Sequence, residues 1–139
     1  MTDDYMVSVE VPAVEDYCRL RRVAGLTPRS ETAAKAGLPN TVVGVVVRQG
    51  AEVVGMGRVM GDGLCYQVVD IAVEPAHQGR GLGKAIVARL MQALRQIAPA
   101  EAYVSLIADG DARHLYAQYG FSPTAPASIG MAQWIGMKP

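Results

Sequence analysis

Three glycines recur at every second position in Gln78-Gly79-Arg80-Gly81-Leu82-Gly83-Lys84, with Arg80 and Lys84 set among them. Glycines let successive backbone N–H groups point into one concavity with no side chains in the way. A helix behind such a loop adds about half a positive charge at its N-terminus. A diphosphate is the group this arrangement suits. Spacing excludes two common phosphate loops. A G-x-G-x-x-G pattern started at Gly79 or Gly81 would need its third glycine at Lys84 or Ile86. A G-x-x-x-x-G-K-[ST] pattern ending on Gly83-Lys84 would begin at Gln78 and close on Ala85, so it fails at both ends.

The elements around this loop are legible in the patterning. Val7 to Val11 alternates as a short strand, and Pro12 opens a helix from Ala13 to Ala24 that Gly25 stops. Ser30 is an N-cap for a second helix, Glu31 to Ala36, closed by Gly37. Thr41 to Arg48, Glu52 to Met60 and Leu64 to Val73 read as three strands joined by short turns at Gly50-Ala51 and Gly61-Asp62-Gly63. Such a run is an antiparallel meander. Leu82, Ile86, Leu90, Ala93, Leu94 and Ile97 mark a long amphipathic helix ended by Pro99. Ala102 to Ile107 reads as a strand, Asp111 to Tyr119 as a helix, and Ala127 to Met137 as one or two final strands. The expected fold is α/β, one domain over residues 1–139, with a mixed central sheet flanked by about four helices.

Composition bounds the function. The chain has 139 residues, half of them hydrophobic, which suits one core. Thirteen basic and thirteen acidic residues cancel, so bulk charge offers nothing to nucleic acid or a membrane surface. No run approaches the ~20 apolar residues of a membrane span, and no apolar run follows the acidic start, so no signal peptide is expected. Cys18 and Cys65 fit no metal or redox spacing and read as mostly buried free thiols in a reducing compartment. A cytoplasmic location and no metal follow as expectations. The seven methionines read as core filler and Trp134 as packing.

Residues 68 to 84, Val-Val-Asp-Ile-Ala-Val-Glu-Pro-Ala-His-Gln-Gly-Arg-Gly-Leu-Gly-Lys, contain Q-x-x-G-x-G behind a strand, and here the chain resembles the GNAT superfamily of N-acetyltransferases. Asp109 to Phe121 is similar to that family's N-x-x-A-x-x-L-Y-x-x-x-G-F helix, with Asp109 in place of asparagine and matches at Ala112, Leu115, Tyr116, Gly120 and Phe121. The resemblance implies acetyl-CoA as cosubstrate, its pyrophosphate on the amides of Gln78, Gly79, Arg80, Gly81, Leu82, Gly83 and Lys84. It also implies that the freed backbone of Ile71, Ala72 and Val73 pairs with the pantetheine arm, with Asp109 and Ala112 on the coenzyme side. An amide of Ala72 or Val73 is then expected to face the thioester oxygen.

Direct transfer needs a positioned amine, an acceptor for its proton, and stabilisation of charge on oxygen and sulfur. The resemblance makes Tyr116 the proton donor to the leaving thiolate; otherwise it is a core-edge aromatic beside Leu115 and Tyr119. Some family members use a strand glutamate as base, and Gln67 stands there. Asp70 is the nearest carboxylate, on the opposite face by strand alternation. It is either the base or a structural acceptor for loop amides or Arg58, with a water relay to backbone or Tyr66 as the third route. His77 is expected at the surface or near the coenzyme's 3′-phosphate, and His114, two residues from Tyr116, on another helix face. No serine or cysteine sits beside it to form a hydrolase triad. Tyr17, Arg21, Leu26 and Arg29 are candidate acceptor lining, with Arg58 and Asp62 at the strand turn. Three functions fit: acetylation of a small-molecule amine, acetylation of a protein lysine or N-terminus, or coenzyme sensing without catalysis. The resemblance also implies a homodimer, joined through Ile129 to Met137.

Overall fold

The computed structural model describes residues 4–139. Along the chain they form β1 (Tyr5–Val9), α1 (Val14–Val23), α2 (Glu31–Gly37), β2 (Val43–Gln49), β3 (Glu52–Gly61), β4 (Cys65–Val73), α3 (Leu82–Ile97), β5 (Tyr103–Ser105) and α4 (Ala112–Ala117). The strands make one sheet in chain order, antiparallel except for the parallel β4–β5 pair. This is the expected α/β domain with a mixed sheet and four α-helices.

Each face of the sheet has its own cover. Ile86, Leu90 and Leu94 of α3 pack against Val45, Val47, Val54, Val59 and Val68. On the other face Tyr17 and Leu20 of α1 and Ala34 of α2 meet Val46, Val53, Met56 and Ala72. β2 is therefore buried on both sides, which explains a valine run without polar alternation. Ser30 caps α2 as its type suggests, its Oγ accepting from the Ala33 N–H at 3.1 Å, an interaction worth about 1 kcal/mol.

Several elements differ from the sequence reading. β1 begins at Tyr5 and ends at Val9; Val7 and Val9, opposite Val47 and Val45, lie on the α3 side of the sheet but stay partly exposed, while Tyr5 packs on the core and Val11 lies beyond the strand. The alternation marked the α3-facing side of an edge strand that the helix covers only in part. β5 has only three residues, because it pairs solely with residues 65–67 of β4. No strand forms over residues 127–137; Ile129, Met131, Ile135 and Met137 are exposed. Alternating apolar residues hold an extended strand only when a neighbouring edge or face receives them, and here none does. Only Met56 and Met91 are buried among the described methionines, and Cys65 is exposed at the first residue of β4.

The link from β1 to α1 passes directly over β2. A Cβ at Gly44 would lie 2.5 Å from the Glu10 carbonyl oxygen and 2.9 Å from the Val11 Cα. Both are backbone atoms, and Glu10 is further held by an ion pair with Arg48 and by the Ser8 hydroxyl. Gly44→Ala is expected to cost about 1–3 kcal/mol, read as a lower urea midpoint at unchanged m-value. An unchanged midpoint would mean that the crossing segment yields freely.

Candidate active site

The centre of the site is an irregularity in β4. Arg58 pairs with Val69 and Met56 with Ala72, so Gly57 alone opposes both Asp70 and Ile71. That extra residue is a β-bulge, and Asp70 takes it up with a left-handed φ of 59°. Gly57 makes room, since a Cβ there would lie 2.6 Å from Ile71 Cδ1. The bulge resets the side-chain alternation. Tyr66 and Val68 before it and Ile71 and Val73 after it all pack on the α3 side. Asp70 therefore shares a cleft with Gln67 instead of facing away from it, which corrects the parity expected from a regular strand.

Asp70 is buried between two arginines. Arg21 Nη1 donates to Oδ1 at 2.6 Å and Arg58 Nε to Oδ2 at 2.8 Å. The three side chains are 7%, 9% and 11% exposed for Asp70, Arg21 and Arg58. Arg21 also donates to the Thr27 carbonyl and Arg58 to the Thr41 hydroxyl, both at 2.7 Å. The acceptor role for Arg58 was legible; the second partner on α1 was not, because 49 residues separate it from Asp70.

Beyond residue 67 nothing among the described strands pairs with the outer edge of β4. β5 ends there at Ser105, and a cleft of about 850 Å³ lies between β3–β4, the α1–α2 face and the segment from Ile107 to Tyr116. Asp70, Ile71, Asp109, Ala112 and Tyr116 all line it. Ala72 is buried, and the Val73 carbonyl accepts from the Gln78 side chain at 3.0 Å, tying the loop to the strand end. Gly79 and Gly81 have φ of 77° and 78°, conformations that favour glycine. Gly81 precedes Leu82, the first residue of the 16-residue α3, and no side chain caps that helix, so its first N–H groups stay open to a ligand. The loop fits an anion on these grounds.

His77 is not free at the surface. Its Nδ1 is 2.6 Å from the Tyr5 hydroxyl, the rings meet edge to face, and Arg80 Nη1 approaches the same hydroxyl at 3.4 Å. β1 thus braces the loop.

Tyr116 is half-buried, set edge-on to Phe121 at 6.2 Å between centroids. Its hydroxyl has no hydrogen-bond partner among the described residues. Burial, and then the nearby Asp109 charge, push its pKa above the ordinary phenol value. His114 is exposed. Of the candidate acceptor residues, Tyr17, Arg21, Leu26, Arg29 and Arg58 line the cleft. Asp62 does not; its carboxylate accepts from the Leu64 and Cys65 N–H groups, which lower its pKa. Trp134, expected to be packing, lines the cleft with the Arg29 guanidinium 4.6 Å over its ring. A long-range stack of this kind leaves no signal in local sequence.

The model of the acetyltransferase (GNAT) domain matches residues 40–123. A chloroplastic GCN5-related N-acetyltransferase of Arabidopsis thaliana is 34% identical over 85 residues, 60% of this chain. The chain spans 32% of that relative's length. A probable acetyltransferase of unknown function from meticillin-resistant Staphylococcus aureus superposes with a TM-score of 0.89 at 42% identity, over 94% of this chain and 99% of that one. A GNAT-family acetyltransferase from Streptococcus pneumoniae gives 0.73 at 26% identity, over 95% and 98%.

Two outcomes follow from the buried charges and phenols. Asp70→Asn keeps a residue tolerant of left-handed backbone but leaves two buried guanidiniums without a counter-charge. It is expected to lose about 3–5 kcal/mol in denaturant unfolding. A variant of native stability with lost turnover would instead mark Asp70 as the base. Burial, and then the Asp70 charge, likewise raise the pKa of Tyr17. With folded values raised, the stability that neutral Tyr17 and Tyr116 contribute is complete below the unfolded value of ~10 and lost as pH rises through the folded values. Thermal stability should therefore fall more steeply above pH ~10 in the wild type than in a Tyr17→Phe/Tyr116→Phe variant; parallel curves would refute this.

Proposed function

The chain belongs to the GNAT acetyltransferase family, and from that premise we propose that it moves an acetyl group from acetyl-CoA to the primary amine of a small molecule by direct attack. The observation that carries the proposal is the unpaired edge of β4, which runs from beside the glycine loop to the cleft holding Tyr116. A strand edge that ends its pairing within the fold invites another extended chain to complete it.

Bound acetyl-CoA supplies the activated acetyl thioester. Backbone groups of Ile71, Ala72 and Val73 align its extended arm, and a backbone N–H of Ala72 or Val73 faces the carbonyl oxygen as it gains charge. Gln78, Gly79, Arg80, Gly81, Leu82, Gly83 and Lys84 hold the diphosphate, with Asp109 and Ala112 on the coenzyme side. As the carbon–nitrogen bond forms, the carbon–sulfur bond breaks with its electron pair left on sulfur. Tyr116, kept protonated by its surroundings, donates to that sulfur. The proton lost by nitrogen passes to water and replaces the one given up by the phenol. Asp70 acts as a positioning residue, since both its oxygens are engaged by arginines. The Arg29–Trp134 stack forms part of the cleft wall. A homodimer is compatible with the exposed apolar tail at residues 129–137.

Acetyl-CoA at ~100 times its dissociation constant is expected to stabilise the protein by about 2.7 kcal/mol in thermal unfolding. Tyr116→Phe is expected to lower kcat at least ~10-fold with acetyl-CoA affinity little changed, measured by thiol release and calorimetry. No thermal shift at millimolar acetyl-CoA would remove the coenzyme. Unchanged turnover would remove Tyr116, and no turnover with any amine despite a clear shift would point to a sensor.

A further inference from the structure

The cleft lining carries a net positive charge in a chain with no net charge. Five charged side chains line the cleft: Arg21, Arg29 and Arg58 against Asp70 and Asp109. Asp109 lies near Tyr116, whose pKa burial and then this charge raise, on the side the acetyl-transfer reading gives to the coenzyme. Asp70 is a single carboxylate shared by two guanidiniums, so that cluster retains one positive charge. Arg29 makes no ion pair among the described residues; the face of Trp134 is its partner. A half-buried guanidinium stacked on an indole is held in place with its planar fork of donors still available. A partly desolvated cation is costly until an anion meets it.

Resting on the acetyl-transfer reading above, we infer that the acceptor is an amine bearing an anionic group, carboxylate or phosphate, which Arg29 receives at the mouth of the positive field of Arg21 and Arg58. Bidentate contact between guanidinium and either anion fits this chemistry. The same field repels polyamines. It also answers the absence of a carboxylate base at Gln67. Positive charge near an ammonium favours its neutral form, so the amine loses its proton to water before attack. The free lone pair then forms the carbon–nitrogen bond and the thiolate departs as described. Binding and activation of the amine thus share one electrostatic source.

The test compares glycine and L-glutamate with their carboxamides, glucosamine 6-phosphate with glucosamine, and spermidine, each with acetyl-CoA, by thiol release. At least one anionic amine is expected to exceed its uncharged counterpart at least ~10-fold in kcat/KM, with spermidine poorest; which pair shows the effect identifies carboxylate or phosphate. Arg29→Met, which keeps the contact with Trp134, is expected to bring that ratio towards one, with unchanged thermal stabilisation by acetyl-CoA. Uncharged amines or spermidine turning over as well as the anionic ones would overturn the inference, as would an undiminished ratio in Arg29→Met. Calorimetric binding of the same amines to the CoA complex separates this failure from that of the catalytic reading. If no amine is acetylated but the anionic ones bind at least ~10-fold tighter through Arg29, catalysis fails and the anion site stands; equal binding of charged and uncharged forms removes the site.

Discussion

A carboxylate with two cationic neighbours and little water must keep both, and Asp70 meets that condition by joining α1, β3 and β4 at one point. Arg21 reaches it from the helix and Arg58 from the neighbouring strand, each with a second anchor in Thr27 or Thr41. The bulge that turns Asp70 toward them is the same distortion that resets the side-chain alternation at the end of β4. Charge pairing, strand geometry and the cleft are therefore one problem with one solution. An apolar residue at this position would leave two stranded cations, and a regular strand would aim the carboxylate at α3.

The sheet divides its work along β4. Up to residue 67 it is an interior strand with partners on both edges, and afterwards only β3 remains. The cores on the two faces hold the strand in place without the lost pairing. Stability comes from burial on the faces, which leaves that edge without a strand partner. The polar demands of that edge persist, and an extended chain with its own amide groups is the natural complement.

What the sequence disclosed follows the range of the interactions involved. The glycine spacing, the Ser30 cap and the periodicity of α3 are local, and each reads directly from neighbouring residues. The place of the Gln78 to Lys84 loop ahead of α3 and of Tyr116 on α4 was legible for this reason, both lying in short patterns tied to one helix. The β4 bulge was not, because it is defined by the count of residues on β3 as well as on β4. Asp70 was noticed for its charge but put on the wrong side of the strand by that missing count. The Arg21 and Trp134 contacts join segments far apart in the chain. The tail over residues 127–137 shows the reverse failure, a strand-like pattern with no edge to dock on.

The Tyr5–His77 contact makes the first described strand and the glycine loop a single mechanical unit. A strand at the sheet's outer margin is ordinarily the safest place to attach a tag or fuse another domain. In this molecule a fusion immediately ahead of Tyr5 would pull on the Gln78 to Lys84 loop. Tethers placed after the exposed Met137 would leave that brace alone, although they would begin close to Trp134 and the arginine it carries.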